Sequence, residues 1–174
     1  MSTNDFIIQK YNLSIEPRQQ MPVEIPDVVR DQLPKLFQEL GCTIGAEVGV
    51  LDGVFSERLC QDNTSLKLYA IDPWTRVDGF SDYGESVLHG SFKNATKRLA
   101  AYNCEIIRKT SMDALACFED NSLDFVYLDA NHDFKNVVMD LCEWIKKVRP
   151  GGVLSGHDFR RYVPKPSGEI VNKH

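Results

Sequence analysis

Apolar and polar positions follow two alternating patterns from residue 43 onward. Short apolar runs predict buried strands, and segments with apolar residues every three or four positions predict amphipathic helices. The predicted strands are residues 44–50, 66–71, 104–108, 122–128 and 153–155, and the predicted helices are residues 55–61, 92–102, 112–118 and 134–148. In the last helix we expect a buried face made of Val137, Val138, Leu141, Cys142 and Ile145. This alternation predicts a Rossmann-like, doubly wound α/β fold with a mostly parallel sheet and three α/β/α layers.

The two ends of the chain depart from this alternation. Residues 1–42 predict an N-terminal arm and a cap helix that begins at Asp27, is broken or bent at Pro34 and ends before Gly41. Residues 43–174 form the main domain, but the stretch 162–174 is polar and rich in proline, so we expect the C-terminal strands to be missing or shortened. The chain is then either a short version completed by a homodimer partner or a truncated product. We expect an exposed sheet edge near the fifth strand, which must be covered because bare edges associate.

Composition narrows the class of protein. The 174 residues are 43% apolar and 26% charged, which is typical of one soluble globular domain. The net charge of −5 and the lack of a basic surface argue against nucleic-acid binding, and no apolar run approaches the ~20 residues that span a bilayer. The five cysteines are odd in number and lack C-x-x-C spacing, so we expect reduced thiols in a cytoplasmic protein and no zinc site.

Polar or glycine residues follow each predicted strand. In a doubly wound sheet, ligands bind outside the carboxyl ends of the strands. The junctions to inspect are residues 47–53, 72–74, 111–113, 129–133 and 156–159. Their shared polar character predicts a ligand site at this edge of the sheet.

The first two junctions suit a ligand that carries a ribose and an ammonium group but no phosphate. Residues 45–53 lack the G-x-G-x-x-G pattern that binds a pyrophosphate, while Glu47 can hold an ammonium group and Gly49 lets the backbone turn close to a ligand. Asp72 lies 23 residues after Gly49 (72 − 49), near the ~20-residue spacing at which an acidic residue binds ribose hydroxyls. The alternative is that Asp72 only initiates a turn with Pro73.

Four motifs in order resemble the class I S-adenosylmethionine-dependent methyltransferases, and more narrowly the methyltransferase 24 group. They are the runs at residues 47–56, 69–74, 124–133 and 151–159. The resemblance implies S-adenosylmethionine as the cofactor. The residues it assigns to cofactor binding are Glu47, Gly49, Asp72, Trp74, Ser111, Met112 and Asp129, with Met112 either against the adenine ring or in the core. Trp74, Phe80 and Tyr83 form either an aromatic lid or a surface loop held down by its rings.

The last two junctions are similar to the corresponding regions of catechol O-methyltransferase and related Mg-dependent enzymes. The resemblance implies Asp129 and His132 as catalytic residues, with His132 as the general base for a hydroxyl of a small-molecule acceptor. It also implies a divalent cation at Asp129, His157 and Asp158, although His157 stands where those enzymes have a carboxylate and imidazole suits softer metals. The alternative is that Asp129 binds the cofactor while His157 and Asp158 are structural turn residues.

Two other classes of function remain open at this point. One is a non-catalytic Rossmann-like module that binds a nucleoside or a protein. The other is a nucleotide-dependent oxidoreductase or sugar-nucleotide enzyme, against which the absence of a phosphate-binding loop argues.

Overall fold

The computed structural model describes residues 1–15, 23, 25, 28–77 and 83–157, together with the backbone of two short strands at 162–164 and 170–172. Five parallel strands form the central sheet in the order β3-β2-β1-β4-β5. They are β1 (Ile44–Val48), β2 (Lys67–Ile71), β3 (Cys104–Ile107), β4 (Leu123–Leu128) and β5 (Val148–Gly156). The order reverses between β1 and β4, which places the ligand site of a doubly wound sheet at their carboxyl ends. The predicted fold class is confirmed.

The helices lie between the strands as the apolar spacing predicts, with shifted ends. They are α1 (Thr3–Lys10), α2 (Leu33–Glu39), α3 (Val54–Asp62), α4 (Glu85–Leu99), α5 (Ser111–Ala114) and α6 (Phe134–Lys147). α4 begins seven residues before the prediction because Leu88 extends its buried side toward the N-terminus. Pro34 does not break α2 but lies in its first turn, where a missing N–H leaves no hydrogen bond unmade.

Apolar clusters cover both faces of the sheet. Phe125 and Tyr127 of β4 point into one cluster with Phe37, whereas Val126 points into another with Trp144. The rings of Phe37 and Phe125 stack with centroids 4.1 Å apart. Alternate side chains of one strand therefore fill opposite layers, as a sheet covered by helices on both faces requires.

The buried face predicted for α6 is wrong. Val138, Leu141 and Ile145 are 40%, 45% and 50% exposed, while Asp140 and Trp144 are buried. The Trp144 indole packs edge-on against Phe118 at 5.5 Å and donates a hydrogen bond to Ser111, so the largest side chain sets the rotation of the helix. Periodicity identified the helix but not the face it buries.

The far edge of the sheet carries β5, which pairs only with β4 among the described strands. The hydroxyl of Thr3 donates to the carbonyl of Gly151 at 2.5 Å, which ties the start of α1 to this edge. Two three-residue strands, β6 (Tyr162–Pro164) and β7 (Ile170–Asn172), pair antiparallel in a separate sheet. Among the described residues, no helix is long and apolar enough to cross a membrane.

Candidate active site

A cavity of about 680 Å³ lies at the carboxyl ends of the strands. This volume is within the range of ~300–1,000 Å³ that is usual for small-molecule sites. Eight residues predicted from the sequence line it together: Glu47, Gly49, Asp72, Ser111, Met112, Asp129, His132 and His157. The predicted metal ligand Asp158 and the aromatic residue Phe80 lie outside the described residues, whereas Tyr83 lines the cavity.

Gly49 brings the β1 and β4 loops into contact. Its φ of +93° is in the left-handed region, and a Cβ at this position would lie 2.1 Å from the carbonyl oxygen of Asp129. The amide of Gly49 donates to the carbonyl of Ile71, and the amide of Asp129 donates to the carbonyl of Val48, both at 2.8 Å. Only glycine permits this approach, which places the ends of three strands around one cavity.

The carboxylate of Asp72 organises the loop beneath the cavity. Oδ2 accepts hydrogen bonds from the amides of Val50 and Leu51 at 3.0 Å, and Oδ1 accepts one from the amide of Trp74 at 2.8 Å. Burial raises the pKa of Asp72 despite these three bonds. Since a carboxylate has about four acceptor positions, roughly one remains for a ligand hydroxyl. The predicted turn role and the predicted ligand role are therefore compatible.

Glu47 is a buried carboxyl group beside the cavity. It is 2% exposed, and the hydroxyl of Ser56 donates a short hydrogen bond to Oε2. Burial raises the pKa of Glu47 to about 8, an effect that the Ser56 bond reduces and the charge of Asp129 increases. Without a ligand the side chain is thus mostly protonated at pH 7, and a cationic ligand group beside it would favour the ionised form. Sequence reasoning missed Ser56, although it lies on the helix that follows the glycine motif.

Trp74 does not line the cavity. Its ring is 3% exposed, packs against Phe92 with centroids 5.2 Å apart, and donates from Nε1 to the carbonyl of Leu51 at 2.7 Å. The indole therefore supports the same loop as Asp72 from behind. The structure places it in the core and not in the wall where the motif predicted a cofactor contact.

Ser111 belongs to a hydrogen-bonded group at the opposite wall. Its hydroxyl donates to Oδ1 of Asp140 in a short bond and accepts from Nε1 of Trp144 at 2.8 Å. Burial raises the pKa of Asp140, which also lines the cavity. Met112, next in the chain, lines the cavity and also packs against the core cluster that contains Trp144. Its contact with an adenine ring stays a prediction.

Basic groups surround Asp129 at the remaining side of the cavity. Oδ1 lies 3.4 Å from Nε2 of His132 and 3.5 Å from Nδ1 of His157, and Oδ2 lies 3.6 Å from Nη1 of Arg30. The guanidinium of Arg30 also lies over the ring of Phe55, 5.2 Å from its centroid. Arg30 begins a short 3-10 helix (Arg30–Gln32) within the stretch predicted as the cap helix, and that prediction gave no sign of its contact with Asp129.

The described residues around Asp129 include two of the three predicted metal ligands, Asp129 and His157. They contain no group of three His, Cys, Asp or Glu side chains that could hold a metal ion. The carboxylate of Asp129 instead faces two imidazoles and the permanent positive charge of Arg30, which disfavours a second cation at the same place. Of the two remaining ligands predicted, His157 lies beside Asp129 and Asp158 is outside the described residues.

Comparison with known proteins gives one family. A family model described as a methyltransferase domain matches residues 46–159. An uncharacterized protein of Sinorhizobium fredii (strain NBRC 101917 / NGR234) is 27% identical over 121 residues, a match that covers 66% of this chain and 12% of that protein.

Two solved structures illustrate the similarity in fold. The O-methyltransferase from Bacillus cereus in complex with SAH is 19% identical with a TM-score of 0.55, and the alignment covers 88% of this chain and 64% of that one. The O-methyltransferase TomG from Streptomyces achromogenes, involved in tomaymycin synthesis and in complex with SAM, is 21% identical with a TM-score of 0.54, and the alignment covers 84% and 59%. The chain thus spans less than two thirds of the length of each of these relatives.

Proposed function

Because the chain belongs to the methyltransferase domain family, we propose that it binds S-adenosylmethionine in this cavity and transfers the methyl group to a hydroxyl oxygen of a small acceptor molecule. The observation that carries the proposal is the placement of two carboxyl groups, Glu47 and Asp72, on the same cavity as the Asp129 and His132 pair. Glu47 and Asp72 suit a nucleoside ligand that carries a positive charge. Asp129 and His132 suit removal of a proton from the acceptor hydroxyl.

The cofactor half of the cavity is the part around β1, β2 and α5. Glu47 offers a carboxylate to an ammonium group, and Asp72 offers its remaining acceptor position to a ribose hydroxyl. The start of α5, with Ser111 and Met112, faces the same space and suits the adenine end. The metal and Trp74 are not part of this proposal.

The acceptor half of the cavity is the part around the β4 and β5 loops. His132 takes the proton of the acceptor hydroxyl, because an imidazole is a suitable general base near neutral pH. Asp129, 3.4 Å from Nε2, orients the ring and stabilises the positive charge that it gains. Arg30 and His157 contact the same carboxylate and hold it in position from two other sides.

The bound sulfonium cofactor supplies an activated methyl group, so the protein contributes mainly alignment and a base. The oxygen–methyl bond forms as the sulfur–methyl bond breaks, the bonding electrons stay on sulfur, and the hydroxyl proton goes to His132. The products are the methyl ether and neutral S-adenosylhomocysteine, SAH.

Calorimetric titration with SAH tests the cofactor site. We expect micromolar binding by the wild-type protein, about −8 kcal/mol. Asp72→Asn should weaken it about 10-fold or more, because the variant lacks the carboxylate charge and one acceptor oxygen. Asp62→Asn is the matched control, since Asp62 pairs with Arg58 at the end of α3, outside the cavity lining.

Incubation with methyl-labelled S-adenosylmethionine and a panel of phenols, catechols and hydroxy acids tests the reaction. Label transfer that is lost in His132→Gln would support the full proposal. Tight SAH binding without transfer to any acceptor would favour a nucleoside-binding module in place of an enzyme. Failure of the wild-type protein to bind SAH would refute the cofactor assignment.

A further inference from the structure

A buried carboxyl group that the proposed function leaves unused lines the cavity between α5 and α6. Asp140 of α6 is 5% exposed, and its Oδ1 accepts a short hydrogen bond from the hydroxyl of Ser111. Among the described residues no group donates to Oδ2, and no cation forms an ion pair with this carboxylate. Because a carboxylate has about four acceptor positions, most of those on Asp140 stay open.

The open oxygen of Asp140 faces the cavity. Within the described part of the chain, the hydroxyl of Tyr127 is the one fully buried side-chain N or O atom without a hydrogen bond. Oδ2 of Asp140 is therefore not sealed in the interior, and it opens on the cavity that the residue lines. A largely buried carboxyl oxygen without a donor is unfavourable, so this wall suits a ligand that donates a hydrogen bond.

The hydroxyl of Ser111 determines which oxygen of Asp140 is open. Nε1 of Trp144 can only donate, and it donates to the Ser111 oxygen at 2.8 Å. The hydroxyl proton of Ser111 then goes to Oδ1 of Asp140. Since the Trp144 indole is fully buried and packs against Phe118 at 5.5 Å, the group is held in one arrangement. Oδ2 is thus presented to the cavity as a fixed acceptor.

The position of this acceptor matches the far end of the cofactor. Glu47 lies on β1, Asp72 follows β2, and Asp140 is bonded to Ser111, which begins α5 after β3. These three strands are neighbours in that order. S-adenosylmethionine carries its ammonium group at one end, the ribose in the middle and the adenine at the other end. The exocyclic amino group of the adenine is the donor that this order brings to Asp140.

The surroundings of Asp140 also suit a flat aromatic base. Met112 beside Ser111 and Met139 beside Asp140 both line the cavity. Thioether side chains adapt their shape and make favourable contacts with aromatic rings. A purine ring between α5 and α6 would therefore find apolar contacts next to one fixed acceptor.

We propose that Asp140 accepts a hydrogen bond from the exocyclic amino group of the adenine and thereby selects adenine over purines that lack a donor at this position. The inference rests on the proposed function, because it concerns the same cavity and the same cofactor. Ser111 is a positioning residue in this arrangement, since it holds the carboxylate that reads the base.

Calorimetric titration of two proteins with two ligands tests this contact. The ligands are SAH and its 6-deamino analogue, in which purine replaces adenine. The wild type should bind the analogue about 10-fold or more weakly, because the analogue leaves Oδ2 without a donor. Asp140→Asn should bind SAH more weakly than the wild type and show no preference for SAH over the analogue.

S-inosylhomocysteine, which has a carbonyl oxygen in place of the amino group, tests the direction of the hydrogen bond. In Asp140→Asn the Ser111 hydroxyl keeps Oδ1 in place, so Nδ2 faces the cavity and can donate to that carbonyl. The variant should bind S-inosylhomocysteine at least as tightly as SAH, whereas the wild type should prefer SAH.

Asp113→Asn is the matched control. Asp113 also belongs to the α5 region, but it is exposed, its carboxylate accepts from the hydroxyl of Thr110 at 2.7 Å, and it does not line the cavity. This variant should keep the full preference for SAH. If Asp140 only tied α6 to α5, Asp140→Asn would weaken the binding of all three ligands by the same factor.

The outcomes separate this inference from the proposed function. Equal affinity of the wild type for SAH and the 6-deamino analogue would overturn the inference and leave the cofactor site in place. An unchanged preference in a folded Asp140→Asn would also overturn it, and the wild-type comparison stands even without the variant. Absence of SAH binding by the wild type would refute the proposed function and this inference with it.

Discussion

Replacement of Glu47 by glutamine isolates the energetic effect of the buried carboxyl group. The pKa of Glu47 is raised from its ordinary value of 4.5 to about 8 because the side chain is fully buried. At pH 7 the folded protein holds a proton on this group that the unfolded chain has lost. Glutamine resembles the protonated form and has no proton to hold. The variant should therefore be more stable than the wild type at neutral pH.

The size of the effect follows from proton linkage. Holding a proton at pH 7, about 2.5 units above the unfolded pKa, costs about 3 kcal/mol at ~1.4 kcal/mol per unit. The hydrogen bond between the Ser56 hydroxyl and the glutamine amide should be weaker, which reduces the stability gain of the variant by about 1 kcal/mol. Because the pKa of Glu47 is higher in the folded protein than in the unfolded chain, the free energy of unfolding of the wild type falls as the pH rises from 4.5 toward 8. The advantage of the variant should thus be about 2 kcal/mol at pH 7 and close to zero at pH 5.

Urea unfolding of both proteins at pH 5, 6, 7 and 8 measures this difference. Asp72 and Asp140, whose pKa values are also raised by burial, are present in both proteins, so their contributions cancel in the comparison. A difference in unfolding free energy that does not change with pH would refute the reasoning, because it would mean that Glu47 is already ionised in the folded protein.

The same variant should bind SAH about 4-fold more weakly. The charge-assisted contact to the ligand ammonium is worth ~1.5–3 kcal/mol, and at pH 7 about 1.4 kcal/mol of it goes into ionising Glu47. The wild type should release a proton on binding, which appears as a heat that differs between buffers of different ionisation enthalpy. That difference should be absent in Glu47→Gln.

Three further substitutions address the rest of the site. Gly49→Ala should destabilise the fold by about 3 kcal/mol or more in urea unfolding, because the φ of +93° and the carbonyl 2.1 Å from the new Cβ both oppose it. His132→Gln should lower the methyl-transfer rate about 10²–10⁴-fold and leave the SAH affinity unchanged in calorimetry. Ser111→Ala should cost about 1–3 kcal/mol of stability, because it removes the partner of the buried Trp144 indole and of Asp140.

Matched controls separate these effects from general damage. Gly90→Ala changes a glycine in α4 with open space around it and should stabilise by about 0.5–1 kcal/mol. His89→Gln changes an exposed histidine outside the cavity lining and should keep full transfer activity. Equal losses in His132→Gln and His89→Gln would contradict the general-base role. Unchanged stability in Gly49→Ala would contradict the close approach of the two loops.

The sequence predicted the order of strands and helices and the edge of the sheet where the site lies, because both follow from local periodicity and from the geometry of parallel sheets. It also grouped eight of the cavity residues, from Glu47 to His157, since they lie at or near the carboxyl ends of the strands. Their individual roles in binding and catalysis stay predictions.

The features that the sequence did not predict depend on contacts between distant segments. Arg30 reaches Asp129 from the stretch predicted as the cap helix, whose local pattern says nothing of that contact, and the rotation of α6 is set by where the Trp144 indole fits. Trp74 follows Asp72 in a motif that suggests a ligand contact, yet its ring turns into the core. In each case the local sequence pattern allowed more than one direction for the side chain, and a contact with a distant segment selected one of them.

The three amide bonds to Asp72 also bear on how this position can change over time. One carboxylate both shapes the loop from Val50 to Trp74 and faces the space where a ligand would lie. A substitution of Asp72 therefore changes the shape of the loop and removes the group that would contact the ligand. A second substitution nearby would have to restore both. The position should therefore accept fewer replacements than either role would allow alone. In a library of all variants at Asp72, the folded proteins that still bind the ligand should be the wild type and, more weakly, Asp72→Asn.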